Sequence, residues 1–394
     1  MTARVPVVIS GAAAVSPLGA SFEAAAESLL AGISRVGPLT NRDVADWPVK
    51  IGAEVQGWTP KMKRHERIGE MLAHVIEGAL SDAAMTPIPS RTALVVGLGR
   101  QPPLEPSAAI DSTLQDVASL ERLPSILADR FRCRGPIYAC ANACASGNDV
   151  IGIGRGLLRQ GVAEVVIAGA SDSQLSRCSV NELANLKVLA RPRDEGDRVP
   201  KPFDKNRNGF AIGEGAAAFV LETLTRAEKR GARVRAEVVG YASAASAFSL
   251  TRERPDGGGA LRAILGSLED AELSPRDIDY VNAHGTATIA NDIVETRAIK
   301  AAFGDHALSV PVSSTKALSG HALAASAAIE LAYCLIALER NFVPPTVNFE
   351  TPDPECDLDY VTNQSRSHEM TTIMSNAFGF GGQSAVLIIR RVTS

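Results

Sequence analysis

Short β-forming runs alternate with stretches of helical period along the whole chain, and this alternation restricts the fold more than any other feature of the sequence. The runs are VPVVISG, TALVVGLG, AEVVIAGAS, AAAFVLET, RAEVVGYAS, IDYVNAHG and SAVLIIRR. Between them lie segments such as FEAAAESLLAGIS, which places Phe22, Ala25, Leu29 and Ile33 on one helical face. The pattern specifies α/β layers. With 394 residues, 45% of them apolar, the chain can build two or three average domains or one large fold made of two similar halves.

Two places repeat one device. In the first, IYACA reads as a buried strand, Val150, Ile153 and Leu157 mark a helical face, and Gly161 stops the helix before AEVVIAG. In the second, VPVSSTK reads as a strand and Gly320 as a turn. A helix is expected from about His321, with Leu323, Ala327, Leu331, Cys334 and Leu338 facing inward. Two such elements would bring their helix starts together across a pseudo-twofold axis. The expected division is residues 1–245, carrying the first element, and 246–394, carrying the second. No linker separates the halves; RERPDGGG reads as an interior loop and ARPRDEGDRVPKP as a charged surface loop.

Composition removes several function classes. A net charge of −4 gives no reason to expect nucleic-acid binding. Six cysteines without a CxxC pair argue against a disulfide framework and a zinc site, and point to a reducing, cytoplasmic setting. The opening MTARVPVVISGAAAVSPLGA superficially resembles a signal peptide, but Ser10 and Gly11 break its apolar run, so a first strand and turn is the better reading. Ala317 to Leu338 is long and apolar, yet it contains His321 and Glu330, each costly in lipid. That stretch reads as a buried core helix rather than a membrane span.

The segment NACASGND places Cys144 at the strand-to-helix turn among alanine, serine and glycine. Most free cysteines are small buried hydrophobes. At a helix start, however, unpaired N–H groups and the peptide dipoles favour negative charge, so this position predicts a lowered thiol pKa and a nucleophile. Ala143, Ala145 and Gly147 leave room for a substrate. Two of the six histidines stand at element ends among small residues: His284 in NAHGTAT and His321 in SGHALAA. Either could be a satisfied polar residue beside a turn, but acyl transfer through a thiol calls for such partners. His65, His74, His306 and His368 have no such setting, and Cys140 reads as a core residue of the strand.

NACASGND, KPFDKNRNGFAIGEGAAAFVLE, YVNAHGTATIANDIVETRAIKAAFG, VSSTKALSGHALAASAAIELAYCLIAL and SNAFGFGG together resemble the β-ketoacyl-acyl carrier protein synthases of the elongating, Cys-His-His type. The motifs keep the family's order and spacing from the first strand to the last. The resemblance implies a thiolase-like α/β fold, two pseudo-twofold related halves in five layers α-β-α-β-α. It makes Cys144 the acyl acceptor, with His284 and His321 the two histidines, Lys316 and Glu330 their electrostatic support. Phe380 is matched to the residue whose N–H completes the oxyanion hole and whose ring gates the acyl pocket. Thr286, Thr288 and Phe378 fall at substrate-binding positions. No bound cofactor is implied, since substrates arrive on the phosphopantetheine of an acyl carrier protein. The implied reaction is decarboxylative Claisen condensation with malonyl-acyl carrier protein, in fatty-acid or polyketide-type synthesis, by a homodimer or a heterodimer with a related subunit.

The chain departs from that family in places. Ala324 and Ala327 stand where glycines are usual, Asn208 replaces an aspartate, Asn148 and Asp149 follow the nucleophile turn, and residues 99–134 match poorly. The last departure leaves acyl length and type open. A thiolase or chain-initiating enzyme would carry a second cysteine or an asparagine where His321 stands, and a non-condensing partner subunit would lack the nucleophile. Three basic clusters are candidates for docking an acidic carrier protein: Lys61, Lys63 and Arg64; Lys201, Lys205 and Arg207; Arg252 and Arg254.

Overall fold

A computed structural model describes residues 5–58, 64–99, 122–194, 196–249 and 254–392. Ten strands carry the architecture: β1 Val7–Val15, β2 Thr92–Leu98, β3 Ile137–Cys140, β4 Val165–Ser173, β5 Ile212–Thr223, β6 Ala236–Ala245, β7 Tyr280–Asn282, β8 Val312–Ser313, β9 Thr372–Gly379 and β10 Gln383–Arg390. The first five run in the spatial order β3-β2-β4-β5-β1 and the second five in the order β8-β7-β9-β10-β6. Both halves therefore follow the same path: third, second, fourth, fifth, first. The directions repeat too. In each half the third and second strands, and the second and fourth, are parallel, whereas the fifth is antiparallel to both the fourth and the first. A short antiparallel ladder, Val8 to Glu237 and Ile9 to Ala236, joins the two sets.

Helices fill the layers according to their apolar faces. Helix α1 spans Phe22–Leu30 and buries Ala25 and Leu29 as the pattern predicts, but it ends before Ile33, which is 42% exposed instead of lying on the helical face. Helix α2, Arg64–Asp82, carries Ile68, Met71, Leu72, Val75 and Ile76 at helical spacing and packs this stripe on the outer face of the first sheet. Helices α4 (Gly258–Ala271) and α5 (Ile289–Phe303) cover the outer face of the second. Between the sheets lie α3 (Ser146–Arg159) and α6 (Ser326–Arg340). Residues 326–338 of α6 are buried on every side, which explains its largely apolar composition without any lipid contact. Among the described residues no helix is long and apolar enough to cross a membrane.

The repeated device recurs in detail. Before α3 comes a 3-10 turn, Ala143–Ala145; before α6 comes another, Leu323–Ala325. The first residue of each turn, Ala143 or Leu323, sits in the left-handed region at φ 48°. Each helix then opens on a serine, Ser146 or Ser326, whose hydroxyl accepts the N–H four residues earlier, from Asn142 at 2.8 Å or Ala322 at 3.2 Å. One expectation is displaced: α6 begins at Ser326, not near His321, because the 3-10 turn Leu323–Ala325 comes between them, and Leu323 belongs to that turn rather than to the helix.

The two helix starts touch at Gly147. A Cβ at this position would lie 2.3 Å from the backbone nitrogen of Ala328 and 2.9 Å from the Cβ of Ala327. Gly147→Ala is expected to push the two starts apart and cost about 1–3 kcal/mol, the usual range for overpacking. Denaturant midpoints measured beside condensing activity check this; an unchanged midpoint contradicts the close packing.

Candidate active site

Cys144 sits in the 3-10 turn that ends the loop after β3, and only 3% of its surface is accessible. The strained φ of Ala143 and the Ser146 hydroxyl, which also donates to the Ala143 carbonyl at 2.8 Å, hold the turn closed. The expectation of a thiol acidified at rest is overturned. Burial pushes the Cys144 thiol up to about 12, and the nearby Lys316 charge only partly counters this. Desolvating a thiolate outweighs the favourable field of the helix start. Strand β3, read from the sequence as buried, instead exposes Ile137, Tyr138 and Ala139, because among the described residues it is the last strand of its sheet; Cys140 at its end is half buried and lines neither cavity described below.

Both histidines reach the sulfur from the second half. His321 Nε2 lies 3.2 Å from Cys144 Sγ, and a nitrogen of His284 completes a group whose ligand atoms all fall within 4.8 Å of one another. Among the described residues this trio is the one set of such side chains close enough to share a metal ion. The His321 backbone is zipped to the start of β5: its N–H donates to Ala211 O at 2.8 Å, and its carbonyl accepts from Gly213 at 2.9 Å. Phe210 meets its ring edge-on at 4.9 Å. His284 follows β7, and the two imidazoles stand nearly perpendicular, 5.4 Å between centroids.

The charged groups around them set their protonation. Lys316 and Glu330 form a fully buried pair at 2.5 Å, one on the short helix before Gly320 and the other on α6. Burial, then the Lys316 charge, then the neighbouring His321 hold the His284 pKa well below the usual value of 6.5. Burial and Lys316 do the same to His321. Both rings are neutral at physiological pH. Glu330 itself is pushed up by burial and pulled down by Lys316.

Residue-by-residue matching missed Glu295. This buried side chain on α5 accepts the backbone N–H groups of His284 and Gly285, both at 2.8 Å, and Asn376 Nδ2 at 3.1 Å. Burial raises its carboxyl to about 7. It clamps the His284 loop from behind, and its distance of eleven residues from His284 left no periodic signal. The unusual Asn148 and Asp149 also have roles in packing. Asn148 Nδ2 donates to the carbonyls of Ser375 at 3.0 Å and Ala385 at 3.1 Å, and Asp149 accepts from Asn142 and the Tyr241 hydroxyl.

Two cavities meet at the sulfur. One, about 510 Å³, is lined by Cys144, His284, His321, Thr286, Thr288 and Phe378 among others. Thr286 and Thr288 share a hydroxyl contact at 3.0 Å, and the Phe378 ring lies 5.8 Å from His284. The other, about 330 Å³, runs past Leu183, Leu186 and Leu323, with Asp172 and Gln174 in its wall. Phe380 and Cys144 line both. Gly379, next to Phe380, packs on the nucleophile turn, where an added Cβ would come 3.1 Å from the Cys144 nitrogen.

In one basic cluster two members are buried in ion pairs, while Lys205 between them is exposed. Lys201 is buried and paired with Asp197 at 2.8 Å and Glu350 at 2.6 Å; Arg207 is buried against Asp353 at 2.6 Å. Arg254 pairs with Asp256. Lys61, Lys63, Arg252 and residues 100–121 lie outside the described residues.

A buried thiol facing two uncharged imidazoles, on a five-strand unit used twice, is the arrangement of thiolase-fold condensing enzymes. The model of the beta-ketoacyl synthase N-terminal domain matches residues 4–227 and that of the C-terminal domain residues 235–350, and the chain belongs to the beta-ketoacyl synthase family. It is 36% identical to 3-oxoacyl-acyl-carrier-protein synthase 2 of Synechocystis over 98% of both chains. It is also 36% identical to the tetracenomycin polyketide synthase ketoacyl synthase alpha subunit of Streptomyces glaucescens, over 98% of this chain and 97% of that one. A type II polyketide ketosynthase, solved with its acyl-carrier protein and bound to the hexaketide, superposes with a TM-score of 0.91 at 30% identity, covering 99% of this chain and all of that one.

Because burial holds the thiol high, alkylation of Cys144 by iodoacetamide is expected to keep accelerating above the ordinary thiol value of 9.0. A rate that levels off below that pH would show a thiolate already present at rest.

Proposed function

We propose that the family's decarboxylative Claisen condensation runs in this chain on Cys144, His284 and His321, with an acyl thioester and malonyl-acyl carrier protein as substrates. The convergence of Sγ and the two neutral imidazoles within 4.8 Å carries the reading. The phosphopantetheine arm enters through the larger cavity past Thr286 and Thr288, and the acyl chain occupies the smaller one, gated by Phe380. Sγ attacks the acyl carbonyl carbon, the pantetheine carbon–sulfur bond breaks, and the thiol proton ends on the departing pantetheine sulfur. The tetrahedral oxygen is held by the N–H groups of Cys144 and Phe380.

Malonyl thioester then binds. Its carbon–carboxylate bond breaks, carbon dioxide leaves, and the electron pair spreads onto the thioester oxygen, where N–H groups of His284 and His321 receive the charge. Neutral imidazoles suit this step because they donate hydrogen bonds without yielding a proton to the enolate. The carbanion attacks the acyl-cysteine carbonyl, a carbon–carbon bond forms, and the Cys144 sulfur leaves and is reprotonated. Burial, assisted by the Lys316 charge, keeps both rings uncharged, and Glu330 keeps Lys316 tolerable inside the protein. The division into a nucleophile half, 1–245, and an imidazole half, 246–394, is part of this reading. So is the absence of a bound cofactor, and the cytoplasm as the compartment that keeps the thiol reduced.

The reading includes a dimer. Among the described residues strand β3 is the free edge of its sheet and exposes Ile137 and Tyr138, the kind of apolar edge that a second strand covers. A second copy or a related subunit would fit there. Ile137→Lys with Tyr138→Lys is expected to shift the protein to monomer in size-exclusion chromatography, whereas an unchanged elution volume places the interface elsewhere.

Acyl transfer and decarboxylation are separable. Mass spectrometry after incubation with an acyl carrier thioester is expected to show one acyl adduct that Cys144→Ala abolishes. His284→Ala and His321→Ala should keep the adduct yet slow carbon dioxide release from malonyl carrier by about 100- to 1000-fold, the usual effect of deleting an oxyanion donor. Full release rates in either variant contradict the assigned role.

A further inference from the structure

We infer that Ser326 is a positioning residue that selects the tautomer of His321, holding the ring with its proton on Nε2, toward the sulfur and the substrate. The inference rests on the role proposed above for His321.

Ser326 opens α6, is buried, and has two hydrogen-bond partners. Its Oγ lies 2.9 Å from His321 Nδ1 and accepts the Ala322 N–H at 3.2 Å. A hydroxyl has one proton to give. With Ala322 supplying a proton to the oxygen, that of the hydroxyl is free to go to Nδ1, and a neutral ring whose Nδ1 accepts must carry its hydrogen on Nε2. The competing acceptor is Glu330, whose carboxylate also draws on this hydroxyl. Yet Glu330 Oε2 has no donor within hydrogen-bond distance, while its other oxygen is taken by Lys316. Of these two acceptors, the imidazole is the one within hydrogen-bond distance of the hydroxyl, at 2.9 Å.

The internal repeat supplies the comparison. Ser146, which opens α3, accepts the N–H four residues earlier just as Ser326 does, but directs its proton to the Ala143 carbonyl at 2.8 Å. There the serine only closes the turn. In the second half the same helix-opening serine faces a ring nitrogen instead, and a closing device becomes a proton director. An Nε2–H aimed 3.2 Å from Sγ serves both halves of the reaction: it donates to the sulfur as the thiol proton departs, and to the enolate oxygen once the sulfur is acylated. The opposite tautomer would present a lone pair to both and repel the developing charge.

The test reads the tautomer directly. Protein labelled with 15N-histidine, with the His321 signals assigned from their loss in His321→Ala, is expected to show one Nε2–H form in the wild type. In Ser326→Ala the Nδ1–H form should appear, and carbon dioxide release from malonyl carrier should fall in kcat by about tenfold with KM nearly unchanged, as for an interaction that acts in the transition state. Ser326→Thr, which keeps the hydroxyl, should restore the single form. Wild-type nitrogen shifts and wild-type kcat in Ser326→Ala overturn the inference. Full carbon dioxide release in His321→Ala would instead remove the role of His321 itself, whatever the tautomer.

Discussion

The beginning of α3 lies against the beginning of α6 with no space for a methyl group at residue 147, and the site exists because of that contact. Each helix brings one part of the chemistry: a sulfur from the turn before α3, a ring from the segment before α6. Only direct backbone contact places Sγ and Nε2 3.2 Å apart. Ala327 contributes its own Cβ to the contact, which leaves residue 147 no room for one. The surrounding layers, two five-strand sheets with α2 on one outer face and α4 and α5 on the other, serve to press these helix starts together and keep them there.

That pressing together also dries the site, and dryness sets its electrostatics. A buried sulfur resists ionisation, and buried imidazoles resist protonation, so all three groups rest uncharged. A single buried cation, Lys316, biases every one of them in the same sense, against positive charge on the rings and toward negative charge on the sulfur. Its own burial is tolerated because Glu330 sits 2.5 Å away. On the proposed reading, nucleophilicity is therefore not stored as a resting thiolate; it is produced when a thioester enters and proton donors are already aimed at the charge that will form. Glu295 and the backbone ladder of His321 make that aim rigid, so little reorganisation accompanies the reaction.

Much of this was legible from the chain. The strand runs stand where their β-branched residues put them, and the stretch from Ala317 to Leu338 is core. Cys144, His284, His321, Lys316 and Glu330 meet as the motifs imply, as do Phe380, Phe378, Thr286 and Thr288 around the cavities. Other features were not legible. Lys201 and Arg207 read as a basic face but are buried in ion pairs with Asp197, Glu350 and Asp353, partners more than one hundred residues away in two of the three cases. Nothing in its local pattern sets Glu295 apart from other helix carboxylates, or Ser326 from the other small residues of an alanine-rich helix.

The sequence by itself determined which segments are strands and helices, that one strand-turn-helix device occurs twice, and which residue types stand at its turns, because these are local matters of periodicity, turn chemistry and side-chain size. Tertiary structure alone decided the protonation of the site. A cysteine at a helix start reads as acidic when only its neighbours in sequence are considered. The fold buries it beneath the second half of the chain, and the lost hydration outweighs the local field, giving a thiol near 12 beside two neutral rings.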